Sequence, residues 1–86
     1  MKPIKLTREV LCDRIRRAKG TRTHAEIADM VTEQTDRKRV YQSHISEALN
    51  PAPKDPHKYD SLRCDLAGML LGGEYEIERH FIRARK

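Results

Sequence analysis

Apolar residues recur at every third or fourth position through most of this chain of 86 residues, and that spacing is typical of amphipathic helices. The pattern predicts four helices, each bounded by a start or stop signal. Their expected limits are Thr7 to Gly20, Thr23 onward, a third helix ending at Asn50, and Asp55 to Gly72. We therefore expect an all-α fold, a small domain of four to five helices.

Three of these helices begin with capping residues, and Thr7 suits the N-cap of the first. Thr23 and Glu26 match a capping box, in which each side chain bonds the backbone amide of the other residue. Asp55 and Pro56 suit the N-cap and the first position of the fourth helix. These signals predict where the first, second and fourth helices begin.

Two start positions fit the third helix, because the stretch before it is polar and shows no clear helical pattern. Asp36 could cap a long helix that runs to Leu49. Alternatively, the helix begins near Tyr41, residues 32–40 form a loop, and Val40 tucks that loop onto the core. We favour the long helix, because the apolar positions from Tyr41 to Leu49 keep one helical phase.

Both ends of the chain lie beyond the predicted core, which covers about residues 7–72 of a single domain, 1–86. The first six residues are expected to form an extended arm that frays, as termini often do. The tail, residues 73–86, fits a helix or a strand, and we favour the helix because its acids precede its bases, which suits the helix dipole. Its apolar side chains can pack internally or form a homodimer contact, and we favour the dimer. They are Tyr75, Ile77, Phe81 and Ile82.

Composition narrows the classes of function. The formal net charge is +5 and the pI is about 9.5, which favours a polyanionic partner. Aromatic residues make up 5 % of the chain and Trp is absent, which argues against an RNA-binding sheet with stacked aromatic residues. No apolar run approaches the ~20 residues of a membrane span, and the N-terminus lacks an apolar leader, so we expect a cytoplasmic protein.

The reactive side chains are scattered along the chain. Cys12 and Cys64 fall in separate predicted helices and match no zinc-ligand spacing, so we expect reduced thiols and no bound metal. A disulfide between them is the alternative. The acids and the four histidines form no local cluster, and there is no glycine-rich phosphate loop. Acid–base catalysis needs paired groups in a pocket, so we expect neither an enzyme nor a cofactor.

The third helix has two unlike sides. Ile45, Ala48 and Leu49 recur at helical spacing and predict a buried side. The opposite side carries compact polar residues, some of which donate and accept hydrogen bonds at once, the chemistry that distinguishes base edges in the major groove. Basic residues in neighbouring segments suit contacts to DNA phosphates. The polar set is Gln42, Ser43, Ser46 and Glu47, and the basic set is Arg37, Lys38, Arg39 and Lys54.

Three segments together carry a resemblance to a known family. They are Thr23-His24-Ala25-Glu26-Ile27-Ala28, Gln42-Ser43-His44-Ile45-Ser46-Glu47-Ala48-Leu49-Asn50-Pro51 and Leu66-Ala67-Gly68-Met69-Leu70-Leu71-Gly72. In that order they resemble the first motif helix, the recognition helix with its exit, and the core-closing helix of the lambda-repressor-like (Cro/C1/Xre-type) helix-turn-helix family. The chain departs from the family in having ten residues, 32–41, between Val31 and Gln42, where a helix-turn-helix turn has about 3–4.

The resemblance implies a helix-turn-helix-like core and a bacterial or phage transcription regulator of the repressor kind. Such proteins bind a palindromic operator in double-stranded DNA as homodimers, which places them in the nucleoid. By position, the implied base contacts come from Gln42, Ser43, His44 and Ser46. The phosphate contacts come from Thr23, Arg37, Lys38, Arg39 and Lys54.

A second class of function also fits the chain. A protein-interaction module, such as an antitoxin or an adaptor, would use the apolar tail and the basic face for an acidic partner, without specific DNA binding. RNA binding is a third alternative. We favour the DNA-binding regulator, because charge, helix order and the polar side of the third helix agree.

Overall fold

The computed structural model describes residues 2–55 and 57–78, and within them the chain forms four helices and one pair of strands. In chain order the elements are β1 (Ile4–Leu6), α1 (Arg8–Lys19), α2 (His24–Gln34), α3 (Gln42–Ala48), α4 (Asp60–Leu71) and β2 (Tyr75–Ile77). The fold is mostly helical, as predicted. The strand pair corrects the all-α assignment.

The predicted capping signals of the first two helices are confirmed. The Thr7 hydroxyl accepts a hydrogen bond from Val10 N, and both bonds of the capping box between Thr23 and Glu26 are formed. Gly20 ends α1 at a φ of +56°, a conformation that glycine adopts at little cost. These local signals set where α1 begins and ends and where α2 begins.

The fourth helix begins later than predicted, at Asp60 rather than directly after Asp55. The Asp55 carboxylate instead accepts a hydrogen bond from His57 N, which closes a turn ahead of the helix. Asp60 then lies in the first helical turn, where its negative charge interacts favourably with the helix dipole. The predicted end of this helix at Gly72 is confirmed.

Two helix pairs, α1 with α4 and α2 with α3, close around one cluster of buried apolar side chains. Every helix contributes to the cluster, so the four helices share one core. Its members are Leu11, Cys12, Ile15, Ile27, Ala28, Val31, Val40, Ile45, Ala48, Leu49, Leu62, Leu66 and Ala67.

The segment before α3 is a loop that ends in an apolar plug. The helix begins at Gln42, so the favoured long helix from Asp36 is wrong. The alternative start near Tyr41 is confirmed, but the loop covers residues 35–41 rather than 32–40, because α2 continues to Gln34. Val40 is only 6 % exposed. The Thr32 hydroxyl accepts a hydrogen bond from Val40 N (3.0 Å) and donates one to the Ala28 carbonyl (2.7 Å). These bonds hold the loop against α2 and fix the position of the plug.

The two strands pair in parallel, with Ile4 opposite Tyr75 and Leu6 opposite Ile77. Ile4 N donates to the Glu74 carbonyl (2.8 Å) at the start of this pairing. Residues 75–77 of the tail are therefore a strand, which was the alternative to the favoured helix. The N-terminal arm is extended as predicted, but it is paired rather than frayed. The physical reason is that each strand supplies hydrogen-bond partners to the other, which neither segment reveals by itself.

The side chains of Tyr75 and Ile77 are partly buried and pack against the chain's own core, together with Leu6. Tyr75 and Ile77 thus show internal packing, the alternative to the favoured dimer contact. Phe81 and Ile82 lie outside the described residues. A homodimer contact through this tail stays a prediction.

Candidate nucleic-acid interface

The helix α3 presents a polar side to solvent. Ile45 and Ala48 are fully buried, whereas Gln42, Ser43 and Ser46 are exposed. These three are among the four residues assigned above to base contacts. Their side chains are therefore accessible to a binding partner.

Two arginines hold the C-terminal end of α3. Arg63 donates from Nε to the Ala48 carbonyl (2.7 Å), and Arg16 donates from Nη1 to the Leu49 carbonyl (2.8 Å). The Cys12 thiol also donates to the Ala48 carbonyl, over 3.4 Å. The last carbonyls of a helix lack partners within the helix and carry partial negative charge, so guanidinium groups suit them. Through these bonds α3 is tied to both α1 and α4.

Arg63 was not among the predicted site residues, although its position carried a signal. Its side chain is fully buried, and its Nη1 donates to Asp60 Oδ1 (2.7 Å). It lies four residues after Tyr59 and three before Leu66, which places it inside the apolar stripe of α4. A charged side chain at such a position must find polar partners inside the fold.

The half-buried ring of His44 supports the start of α3. Its Nδ1 accepts a hydrogen bond from Tyr41 N (3.2 Å). The ring lies between those of Tyr41 and Tyr59, at centroid distances of 5.8 and 6.1 Å. Because this hydrogen bond occupies Nδ1, only Nε2 of His44 remains available for the predicted base contact.

The N-terminal end of α2 lies beside α3. His24 Nδ1 and the Ser46 hydroxyl oxygen are 2.8 Å apart and share a hydrogen bond. Burial, and then the ammonium group of Lys19, lower the pKa of His24 below its ordinary value, which favours the neutral imidazole. Thr23 N donates to the Glu26 carboxylate (2.8 Å), and the Thr23 hydroxyl accepts from Glu26 N. The Thr23 amide is therefore taken, and its hydroxyl proton remains for the predicted phosphate contact.

Two of the predicted phosphate-contacting residues already pair with carboxylates of the chain itself. Arg37 donates to the Asp65 carboxylate (2.6 Å) and to the Ser61 hydroxyl (2.5 Å). Arg39 donates to the Asp29 carboxylate (2.7 Å). Both ion pairs are partly exposed, so each contributes little to stability. A DNA phosphate can compete for these arginines, but it must displace a carboxylate to do so.

Exposed lysines lie near these arginines, on the side of α3 that carries His44 and Glu47. Lys38 and Lys54 were predicted to contact phosphates, whereas Lys58 was not, and none of the three forms an ion pair with another described residue. Lys38 and Lys58 border a hollow of about 330 Å³ beside His44. On the opposite side of α3, Lys19 lies near His24. Positive charge therefore flanks the polar side of α3.

Other chemistry is sparse in the part of the chain that the structure describes. No group of three or more His, Cys, Asp or Glu side chains in that part could hold a metal ion, and none of its helices is long and apolar enough to cross a membrane. Cys12 and Cys64 are free thiols, as predicted. Burial raises the pKa of both thiols, so both stay protonated at neutral pH.

Comparisons with protein-family models, with curated proteins and with solved structures found no match.

Proposed function

We propose that this chain is a sequence-specific DNA-binding protein that places α3 in the major groove of double-stranded DNA. The observation that carries this proposal is the exposed polar side of α3, formed by Gln42, Ser43 and Ser46 on a helix whose other side is buried. A major groove about 12 Å wide admits one α-helix. Side chains on the outer side of such a helix reach the base edges.

Each exposed side chain suits a base edge. The Gln42 carboxamide donates and accepts at once, which matches N6 and N7 of adenine. The hydroxyls of Ser43 and Ser46 can meet either a donor or an acceptor. Discrimination between bases needs a rigidly held helix, and the bonds from Arg16 and Arg63 to the end of α3 support the proposal in this respect.

We propose that phosphates are bound first by cationic side chains that do not have to release a carboxylate partner. Arg37 and Arg39 must exchange their partners before they can bind a phosphate. Each phosphate that a cation neutralises steepens the dependence of log K on log salt by about 0.9. The proposed contacts are Lys38, Lys54 and Lys58 on one side of α3, and Lys19, Arg22 and the Thr23 hydroxyl on the other.

The length of α3 supports a regulator that acts as a homodimer. Its seven residues rise about 10 Å along the axis, which matches about three base pairs. A site that short recurs too often to mark one operator. Two copies bound to a palindrome double its length, with half-sites about 34 Å apart. We therefore propose a repressor-type transcription regulator that occupies its operator as a homodimer in the nucleoid.

Selection of binding sites from a random duplex pool tests the proposed function. We expect enrichment of a palindromic motif whose half-sites are a few base pairs long. Equal affinity for enriched and random duplexes would overturn the proposal and favour the protein-interaction module. The exposed apolar side chains Ile4, Val10 and Tyr41 are the groups that a partner protein would cover in that case.

A further inference from the structure

A titratable side chain is hydrogen-bonded to one of the proposed base-contacting residues. His24 Nδ1 lies 2.8 Å from the Ser46 hydroxyl oxygen. His24 is half-buried and is the first residue of α2, whereas Ser46 is exposed on α3. The proton between these two atoms can belong to either of them.

The protonation state of the imidazole decides what the serine offers to a third group. A neutral ring with its proton on Nε2 accepts at Nδ1, so the hydroxyl proton of Ser46 is directed towards His24 and only oxygen lone pairs are free. An imidazolium carries protons on both nitrogens, so Nδ1–H donates to the serine oxygen. The hydroxyl proton of Ser46 is then free to be donated elsewhere.

We propose that His24 sets the hydrogen-bond polarity of Ser46 and thereby makes the base preference at that position depend on pH. This inference rests on the proposed DNA binding by α3. As an acceptor, Ser46 favours the amino groups of adenine N6 and cytosine N4, and as a donor it favours O6 of guanine and O4 of thymine. Acidification therefore shifts the preference from adenine or cytosine towards guanine or thymine.

The surroundings of His24 favour the neutral ring in the free protein. Burial and Lys19 on α1 both lower its pKa, and Arg22 adds positive charge in the turn just before α2. On its own helix the nearest acid, Glu26, is held by a backbone amide in the capping box. On α3 the contact is with the uncharged hydroxyl of Ser46.

A bound duplex acts on His24 in the opposite direction. Negative phosphates favour the charged imidazolium, so the pKa of His24 is higher in the complex than in the free protein. Binding then takes up a proton between the two pKa values. Affinity rises as pH falls through that window, by at most about tenfold per pH unit for one proton, and this gain is lost above the pKa of the complex.

Selections from a random duplex pool at about pH 5.5 and about pH 8, on either side of the ordinary histidine pKa, test the inference. In the unmodified protein we expect one half-site position to change from adenine or cytosine to guanine or thymine on acidification. His24→Asn cannot titrate, so its preference there should not change with pH. Ser46→Ala should show no preference at that position at either pH.

His57→Asn is the matched control. His57 also shares a hydrogen bond through Nδ1, but its partner is Asp60 (3.0 Å) rather than a residue of α3. This variant should keep the pH-dependent change of base preference. Circular dichroism establishes that each variant is folded before its selection is interpreted.

A base preference that stays constant in the unmodified protein, or that still changes with pH in His24→Asn, overturns the inference and leaves the proposed function standing. Failure to enrich any motif at either pH overturns both. Nitrogen-15 NMR of the free protein gives a second arm that needs no DNA and no variant. The neutral ring of His24 must carry its proton on Nε2, and a proton on Nδ1 in that state overturns the inference.

Discussion

The guanidinium of Arg63 donates to the carbonyl of Ala48 over 2.7 Å, and this bond joins α4 to the last turn of α3. Both residues are fully buried. A buried charge is tolerated only where its hydrogen bonds are made, so this bond fixes the two helices relative to each other. The orientation of the exposed polar side of α3 therefore depends on a residue that takes no part in that surface.

Arg63→Met tests the contribution of this bond to stability. Methionine keeps an unbranched side chain but removes one donor from the Ala48 carbonyl and another from the Asp60 carboxylate. We expect the free energy of unfolding to fall by about 3 kcal/mol, measured by urea unfolding followed by circular dichroism. Arg14→Met, at an exposed position of α1, should change it by less than about 0.5 kcal/mol. Equal stability of the two variants would show that the buried bond contributes nothing.

Thr23→Ala tests the capping box at the start of α2. The substitution removes the hydroxyl that accepts a hydrogen bond from Glu26 N. Loss of a threonine N-cap costs about 1 kcal/mol, so we expect a lower urea midpoint with an unchanged slope. Thr21→Ala removes an exposed threonine from the same turn and should leave the midpoint nearly unchanged. A Thr21→Ala variant that lost as much stability would contradict a specific role for the cap.

Much of the fold could be predicted from interactions between residues that are close in the chain. The capping hydroxyls of Thr7 and Thr23 each act three residues away, so a short stretch of sequence contains the whole interaction. The late start of α4 also reflects a local turn between Asp55 and His57. The wrong expectation for the tail concerns an interaction at longer range. Residues 75–77 of the tail form a strand because Ile4 lies opposite Tyr75, and nothing within these residues identifies that partner.

The candidate site shows the same difference between local and long-range interactions. Helical phase alone predicted which side of α3 is polar, because exposure on a helix follows from spacing. It did not predict the partners of Arg37 and Arg39, since their carboxylates are 28 and 10 residues distant. Nor did it predict the bond between His24 and Ser46, which are 22 residues apart. Distant pairs of this kind are set by how the helices pack.

Lys58→Ala tests the proposed phosphate contacts. Lys58 is exposed beside α3 and forms no ion pair within residues 2–55 and 57–78. Loss of one phosphate contact should weaken binding to all duplexes alike and reduce the slope of log K against log salt by about 0.9, measured by fluorescence anisotropy at several salt concentrations. Lys5→Ala removes the same charge from β1, where Lys5 lies within 4.0 Å of Glu76, and should leave the slope unchanged. Equal slopes for Lys58→Ala and the unmodified protein would exclude Lys58 from phosphate binding.

Gln42→Ala tests whether α3 contacts bases directly. Gln42 is exposed at the first position of α3, and its carboxamide suits N6 and N7 of adenine. Its removal should cost about 1–3 kcal/mol of discrimination at one position of the selected site, while affinity for random duplexes stays the same. Gln42→Glu keeps an acceptor but loses the donor, so preference at that position should move towards cytosine, whose N4 is a donor. Anisotropy titrations with single-base variants of the site measure both effects. If Gln42→Ala instead lowers affinity for specific and random duplexes by the same factor, Gln42 acts on the DNA backbone and α3 does not discriminate bases there.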